Sequence, residues 1–164
     1  AGNDGKDIDI TKTYPNDSED LVNEISDNVL TIGAMSLHYD EKLPANFSNF
    51  GKTNVDVFAP GVDIYATMPK DKYTPNSGTS MAAPSTAGVA ALVRSYYPKL
   101  SASQVKHILM NSGIKINFEV IKPGSQSRAK PNGDRVPFSD LCVSGRVVNA
   151  YNALKMADRI VNGL

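Results

Sequence analysis

Apolar residues in this chain fall into a few short, dense runs separated by polar stretches. Val29-Leu30-Thr31-Ile32-Gly33-Ala34-Met35 and Val55-Asp56-Val57-Phe58-Ala59-Pro60-Gly61 are nearly continuous, the pattern of parallel strands covered on both faces. The first is predicted to be a central strand. Asp63 to Met68 and Lys72 to Pro75 predict two strands around Pro69-Lys70-Asp71. The stretch from Ser80 to Tyr97 carries Ala82, Ala83, Ala87, Gly88, Ala90 and Ala91, small enough for a helix to run close under a sheet. A buried central helix is predicted there, with Pro84 in its first turns and Tyr97-Pro98 as its stop. Ser101-Ala102-Ser103-Gln104 reads as a capping box opening a second helix, with Val105, Ile108 and Leu109 on one face, His107 on the surface beside it, and Gly113 as the stop. Val147, Tyr151, Leu154, Ala157 and Ile160 recur at helical spacing and predict a last helix on the outside of the sheet. A short helix is predicted near Leu21, Val22 and Ile25 with Ser18 as its N-cap. Between residues 114 and 143 an alternating segment, a basic loop from Pro123 to Gly133 and Val136-Pro137-Phe138 predict an inserted, flexible hairpin. The class that emerges is α/β, a parallel sheet flanked by helices.

Composition narrows the function more than the fold. At 164 residues, 41% hydrophobic and 21% charged, the chain is long enough for one domain with a real core. Lys plus Arg and Asp plus Glu both number 17, for a net charge of +0, so no bulk charge draws it to nucleic acid or an anionic membrane. The single cysteine, Cys142, cannot close an intramolecular disulfide or a thiolate metal site, and is predicted to be a small buried apolar residue. No apolar run is long enough to span a bilayer. The opening Ala1-Gly2-Asn3-Asp4-Gly5 has no initiator Met and begins on loop sequence, which predicts a processed chain or a piece of a longer one.

The chemistry concentrates at Asn76-Ser77-Gly78-Thr79-Ser80-Met81-Ala82-Ala83-Pro84. Ser80 falls where the orphan N–H groups of the Ala-rich helix point outward, so an oxygen turning negative there meets both donors and the positive end of the helix dipole. Gly78 allows a sharp turn and the close approach of a substrate. The same residues also fit an ordinary N-cap.

Gly78-Thr79-Ser80-Met81-Ala82-Ala83-Pro84, followed by Ala87-Gly88-Val89-Ala90-Ala91-Leu92, resembles the nucleophile segment of subtilisin-like serine proteases. Ser48-Asn49-Phe50-Gly51 before a strand closed by Ala59-Pro60-Gly61, and Gly145 to Asn149 before the last helix, resemble that family in the same order. Ser85 stands where many members have His, at a position without a catalytic role. The resemblance implies a partial three-layer fold and makes Ser80 the nucleophile, with Gly2, Gly78 and Thr79 beside the substrate. It makes Asn3 the oxyanion-hole residue; a carboxamide offers N–H donors without an ionisable proton, which suits that task. On its own residues Asn3 also reads as a turn residue before Asp4-Gly5. Tyr14-Pro15 falls where the family has a wall of the pocket for the residue before the scissile bond, and reads equally as a plain X-Pro turn.

A serine nucleophile needs an adjacent base held by a third group. In the family the Asp and His precede the serine, and here they would precede Asn3. His38 and His107, the two histidines present, match neither position. The resemblance therefore implies that residues 1–164 are the C-terminal part of a catalytic domain, inactive without an N-terminal half, acting on polypeptides, and secreted or held at the cell envelope. Calcium occurs in the family, but no site for it transfers; no metal ligand and no cofactor are assigned. Two other readings remain open: a pseudoprotease or anion- or peptide-binding module built on the Ser77 to Ser80 loop, and a fragment that self-associates through an exposed sheet edge.

Overall fold

The computed structural model describes residues 1–163. Ile32–Met35 (β1) and Val57–Pro60 (β2) pair in parallel, with Gly33 opposite Phe58 and Ala34 opposite Ala59. Arg146–Val147 continues the sheet in parallel beside β2, and Ile114–Lys115 closes it antiparallel, so the β1 strand forms one edge. The strand expected to be central is thus an edge strand of this chain. Its continuous apolar pattern reports that both faces are covered, and Ile32, Gly33 and Ala34 are all buried; it says nothing about how many strands flank it.

The two faces separate cleanly along β2. Val57 and Ala59 join Ile32, Ala34 and Ala82 in one core, whereas Phe58 points the other way into a core with Phe138, Leu141 and Ile116, as the two-residue period requires. The first face is covered by the Ala-rich helix α1, Thr79–Tyr96. Helices α2, Ala102–Ser112, and α3, Ala150–Asn162, pack with its C-terminal half around Val93, Ile108, Leu109 and Ala153. The α2 capping box forms as predicted, Ser101 Oγ accepting from Gln104 N–H and the Gln104 side chain accepting from Ser101 N–H. Asn149 caps α3 through Asn152 N–H.

Ile64–Met68 (β3) and Lys72–Asn76 (β4) form an exposed hairpin that turns on Lys70 and Asp71, both at positive φ, and delivers the chain to α1. In order after β5, Ile114–Lys115, come the paired β6, Glu119–Ile121, and β7, Arg135–Pro137, with Arg146–Val147 as β8. The β6–β7 pair is the hairpin expected between 114 and 143, but its flanks are core: Ile116, Val120, Phe138, Leu141 and Cys142 are buried against Phe58 and Val147.

Three local expectations fail, each for a physical reason. No helix forms at residues 18–25: the Asp20 carboxylate takes the N–H groups of Val22 and Asn23, and Leu21 sits at φ 65, a side-chain turn that competes with the helix. On α3 the buried positions are Ala153 and Ala157, and Tyr151 and Ile160 face solvent, because the helix meets α1 and α2 closely enough to require alanine. On α1 only Thr79, Ala82, Thr86 and Val93 are buried; Ala83, Ala87, Gly88 and Ala91 form an exposed small-residue face. Among the described residues no helix is long and apolar enough to cross a membrane.

Candidate active site

The entry to α1 is organised by glycines and by a residue from the far end of the sequence. Gly78 is buried and donates its N–H to Gly61 C=O at 2.8 Å. A Cβ on Gly61 would lie 2.8 Å from both Ala34 Cβ and Gly78 O, so this approach requires glycine. Gly78 is the N-cap and has no side chain to offer. The cap comes instead from Asn3, whose Oδ1 accepts from Thr79 N–H at 2.9 Å and from Thr79 Oγ1 at 3.0 Å. Ser77 does not cap the helix; its hydroxyl accepts from Asp63 N–H.

This arrangement decides which donors stay free. Thr79 N–H is spent on Asn3, and Met81 and Ala82 N–H return to Gly78 O at 3.0 and 3.4 Å. Ser80 N–H is left over, as is the Nδ2 group of Asn3, whose oxygen holds the other end of its carboxamide. A Cβ built on Gly78 would lie 3.6 Å from Asn3 Nδ2 and 3.6 Å from Ser80 N. Both nitrogens thus border the place of the side chain that Gly78 lacks, next to exposed Ser80.

The loop carrying Asn3 wraps around a residue to which sequence reasoning gave no role. Asn49 is fully buried, and its Oδ1 accepts from Asp4 N–H at 3.0 Å and Lys6 N–H at 2.9 Å, while Nδ2 donates to Ala1 C=O at 3.0 Å. The signal available was the polar Ser48-Asn49 pair directly between apolar segments. Gly2, predicted at the substrate, holds φ +107 against Asn49 and donates to Thr79 Oγ1 at 3.3 Å.

Beside this loop an open cavity of about 770 Å³ is lined by Gly2, Tyr14, Pro15, Ile32, Asn49 and Ala83. Tyr14-Pro15 is a cis peptide, and Tyr14 is 80% exposed with Lys12 Nζ 5.6 Å from the centre of its ring. The loop behind it is clamped by Lys106 of α2, an almost fully buried lysine whose Nζ lies 2.7 Å from Glu24, 3.6 Å from Asp56 and 4.0 Å from Asp17. Burial pushes the Asp56 carboxyl up to about 6 against the opposing pull of Thr31 N–H and Lys106. Burial works against the Lys106 charge as well, but the Glu24 hydrogen bond and the three carboxylates outweigh it and hold its pKa above the ordinary value.

Neither histidine lines this cavity. His107 is bound to Asp27 at 2.9 Å, and His38 lines a separate space of about 240 Å³ with Ser36, Lys42 and Phe47. Among the described residues no group of three or more His, Cys, Asp or Glu is placed to hold a metal ion.

Comparison with known proteins bears on this geometry. The model of the Subtilase family matches residues 1–142. The chain is 52% identical over 128 residues to the "Thermophilic serine proteinase" of Bacillus sp. (strain AK1), covering 78% of this chain and 25% of that protein. It is 44% identical over 90 residues to "Subtilisin DY" of Bacillus licheniformis, covering 55% of this chain and 31% of that one. Among solved structures, a cold adapted subtilisin-like serine proteinase superposes with a TM-score of 0.58 at 31% identity, over 70% of this chain and 37% of that one. The A-subunit of the AB5 toxin from E. coli does so with a TM-score of 0.70 at 27% identity, over 95% of this chain and 48% of that one. The chain thus spans a quarter to a third of these two curated relatives and about half of the larger structural match.

Proposed function

The chain belongs to the subtilase family, and from that premise we propose that residues 1–164 are the C-terminal part of a serine endopeptidase domain supplying the nucleophile and the oxyanion donors. The observation that carries this reading is the Asn3–Thr79 lock, which occupies the Asn3 oxygen and leaves Asn3 Nδ2 and Ser80 N each 3.6 Å from where a Cβ on Gly78 would lie. Ser80 Oγ attacks the carbonyl carbon of a peptide bond whose oxygen lies beside these two nitrogens. The Ser80 hydroxyl proton passes to the base as the bond forms, and the negative charge developing on the oxygen is held by the two N–H groups. The base returns that proton to the amine as the C–N bond breaks. Water, deprotonated by the same base, then releases the acyl group as a carboxylic acid while the proton returns to Ser80 Oγ. Loss of one such donor costs about 2.7–4 kcal/mol in barrier height, a magnitude measured on a subtilisin's own asparagine. Gly2 and Tyr14 line the cavity that receives the residue before the scissile bond, and Gly78 and Thr79 keep the reacting carbonyl's path open and the carboxamide oriented.

The base and its orienting carboxylate are assigned to an N-terminal half: His107 is bound to Asp27 and His38 lines a separate space with Ser36 and Lys42, and neither lies at the cavity lined by Gly2, Tyr14 and Ala83. Surface area supports an open face: 9165 Å² is exposed, against about 7,900 Å² expected for a folded chain of this mass. The exposed face of α1 and the free edge of β1 are where that half would sit. A location outside the cytoplasm fits the reading; one relative, 33% identical over 136 residues, is the "Cell wall-associated protease" of Bacillus subtilis (strain 168).

The test is labelling by a serine-directed fluorophosphonate and peptide hydrolysis. The gene product carrying residues 1–164 is expected to label at Ser80 and lose hydrolysis in Ser80→Ala, while residues 1–164 alone do neither. Hydrolysis by the 164 residues alone, abolished by substituting His38 or His107, would overturn the assignment. The free donors at the α1 N-terminus also favour a second reading, a non-catalytic anion- or peptide-binding module, which tight anion binding without fluorophosphonate reaction would select.

A further inference from the structure

We infer that Asn49 is the positioning residue of this site, the side chain around which the loop carrying Asn3 is wound; the inference rests on the endopeptidase reading above. Asn49 is fully buried, and a buried carboxamide is retained only where its polar atoms are paired. Its three side-chain bonds all go to the backbone of the first six residues: Oδ1 uses both lone pairs on Asp4 N–H and Lys6 N–H, and Nδ2 reaches Ala1 C=O. Its own N–H goes to Gly2 C=O at 2.9 Å. Residues 1, 2, 4 and 6 are thus tied to Asn49 and residue 3 is not. Asn3 is the apex of the turn, its backbone held from both sides and its side chain free to meet Thr79.

Two neighbours fit this role. A Cβ on Gly2, at φ +107, would lie 2.5 Å from Asn49 Nδ2, so glycine there is what lets the carboxamide pass to Ala1. Ser48 Oγ donates to Asn49 C=O at 2.8 Å and accepts from Ala34 N–H at 2.9 Å, which fixes Asn49 to β1. Since β1 also lies under α1, Asn3 and Ser80 are referenced to the same strand. Asn49 touches no reacting atom; it acts through Asn3.

A double-mutant cycle on the gene product that carries residues 1–164 separates this role from simple stabilisation. Asn3→Ala is expected to lower kcat about 10²–10³-fold. Asn49→Ser, too short to reach residues 1, 4 and 6, is expected to lower kcat about 10- to 100-fold with KM changed less than about threefold. In the Asn3→Ala background, Asn49→Ser should lower kcat no more than about twofold further, because its effect passes through a donor already gone. Unchanged kcat in Asn49→Ser, or effects that multiply in the double variant, would overturn the inference while leaving the endopeptidase reading intact. Activity persisting in Ser80→Ala would instead sink that reading, and the inference with it. Should Asn49→Ser not fold, Asn49→Asp carries the same cycle: it keeps the acceptor for Asp4 and Lys6 but sets a carboxylate oxygen against Ala1 C=O.

Discussion

Thr79 gives both its backbone N–H and its hydroxyl to one oxygen, Oδ1 of Asn3, across a separation of 76 residues. A carboxamide whose oxygen is held twice cannot rotate, so its Nδ2 points where the oxygen does not.

Thr79→Val tests this directly, because it keeps the N–H bond, the helix and the side-chain shape and removes only the hydroxyl. Gly2 N–H loses its acceptor in the same change. One neutral hydrogen bond is worth about 0.5–1.5 kcal/mol, so kcat of the active protein should fall roughly 2- to 12-fold while KM moves little. Steady-state kinetics on a peptide substrate check it; an unchanged kcat would mean that Thr79 N–H alone fixes the carboxamide.

Asp56 makes stability depend on pH in a direction opposite to most carboxylates. Its pKa rises from the ordinary 3.8 to about 6 on folding, mainly through burial, with Lys106 from α2, Glu24 and Asp17 from the 14–26 loop as the charged groups facing it. The folded state therefore holds that proton more tightly. The stabilisation is complete below pH 3.8 and is lost as pH climbs through about 6, a swing of ~3 kcal/mol if nothing else titrates. Asp56→Asn keeps an acceptor for Thr31 N–H and abolishes the swing. Thermal melts of both proteins from pH 4 to 8 should show the variant gaining on the native chain as pH rises; a constant difference would mean the Lys106 pairing offsets burial.

How far the sequence carried depended on range. The Ala-rich helix, the capping box at Ser101, the hairpin turning on Lys70 and Asp71 and the Gly78-Thr79-Ser80 loop were legible because each is written in neighbouring residues. The edge position of β1, the exposed Ala83 and Ala87, and the alanine face of α3 were not, since hydrophobic pattern records coverage and not which element does the covering. At the site, Ser80 and Asn3 could be named from the resemblance, whereas Asn49 and Lys106 became visible only once residues far apart in sequence were brought together. A buried Lys or Asn in the sequence looks like any surface one; its partners are what identify it.

Gly33 lies opposite Phe58 across the β1–β2 pair, and a Cβ there would fall 2.6–2.7 Å from three atoms of the Phe58 ring. That ring also packs edge-on to Phe138 at 5.2 Å between centroids, so it has no free side to retreat to. Gly33→Ala should cost about 1–3 kcal/mol by overpacking, read from urea denaturation. Gly33→Ala with Phe58→Leu should recover part of the loss, and a fully additive double variant would refute the steric account.

The 114–143 segment bears on the site as well as on the core. Gly124 follows β6 and meets Gly5, two residues beyond Asn3: both have positive φ, at +72 and +62, and a Cβ on Gly124 would lie 2.2 Å from Gly5 O. Gly124 N–H also bonds Asn46 C=O at 2.9 Å, while Gly5 N–H bonds Phe47 C=O at 2.8 Å, so three segments share one backbone crossing. Gly124→Ala must therefore either displace residues 4–6 or break the turn. Gly163 supplies the control, since it holds φ +70 with nothing within 4 Å of a Cβ. Gly163→Ala should cost only the conformational penalty of about 1 kcal/mol. Gly124→Ala should cost more than ~2 kcal/mol and also lower kcat of the active protein, because the Asn3 loop moves with Gly5. Equal melting temperatures for the two variants would mean the hairpin rides on the domain as a mobile insertion and does not buttress the site.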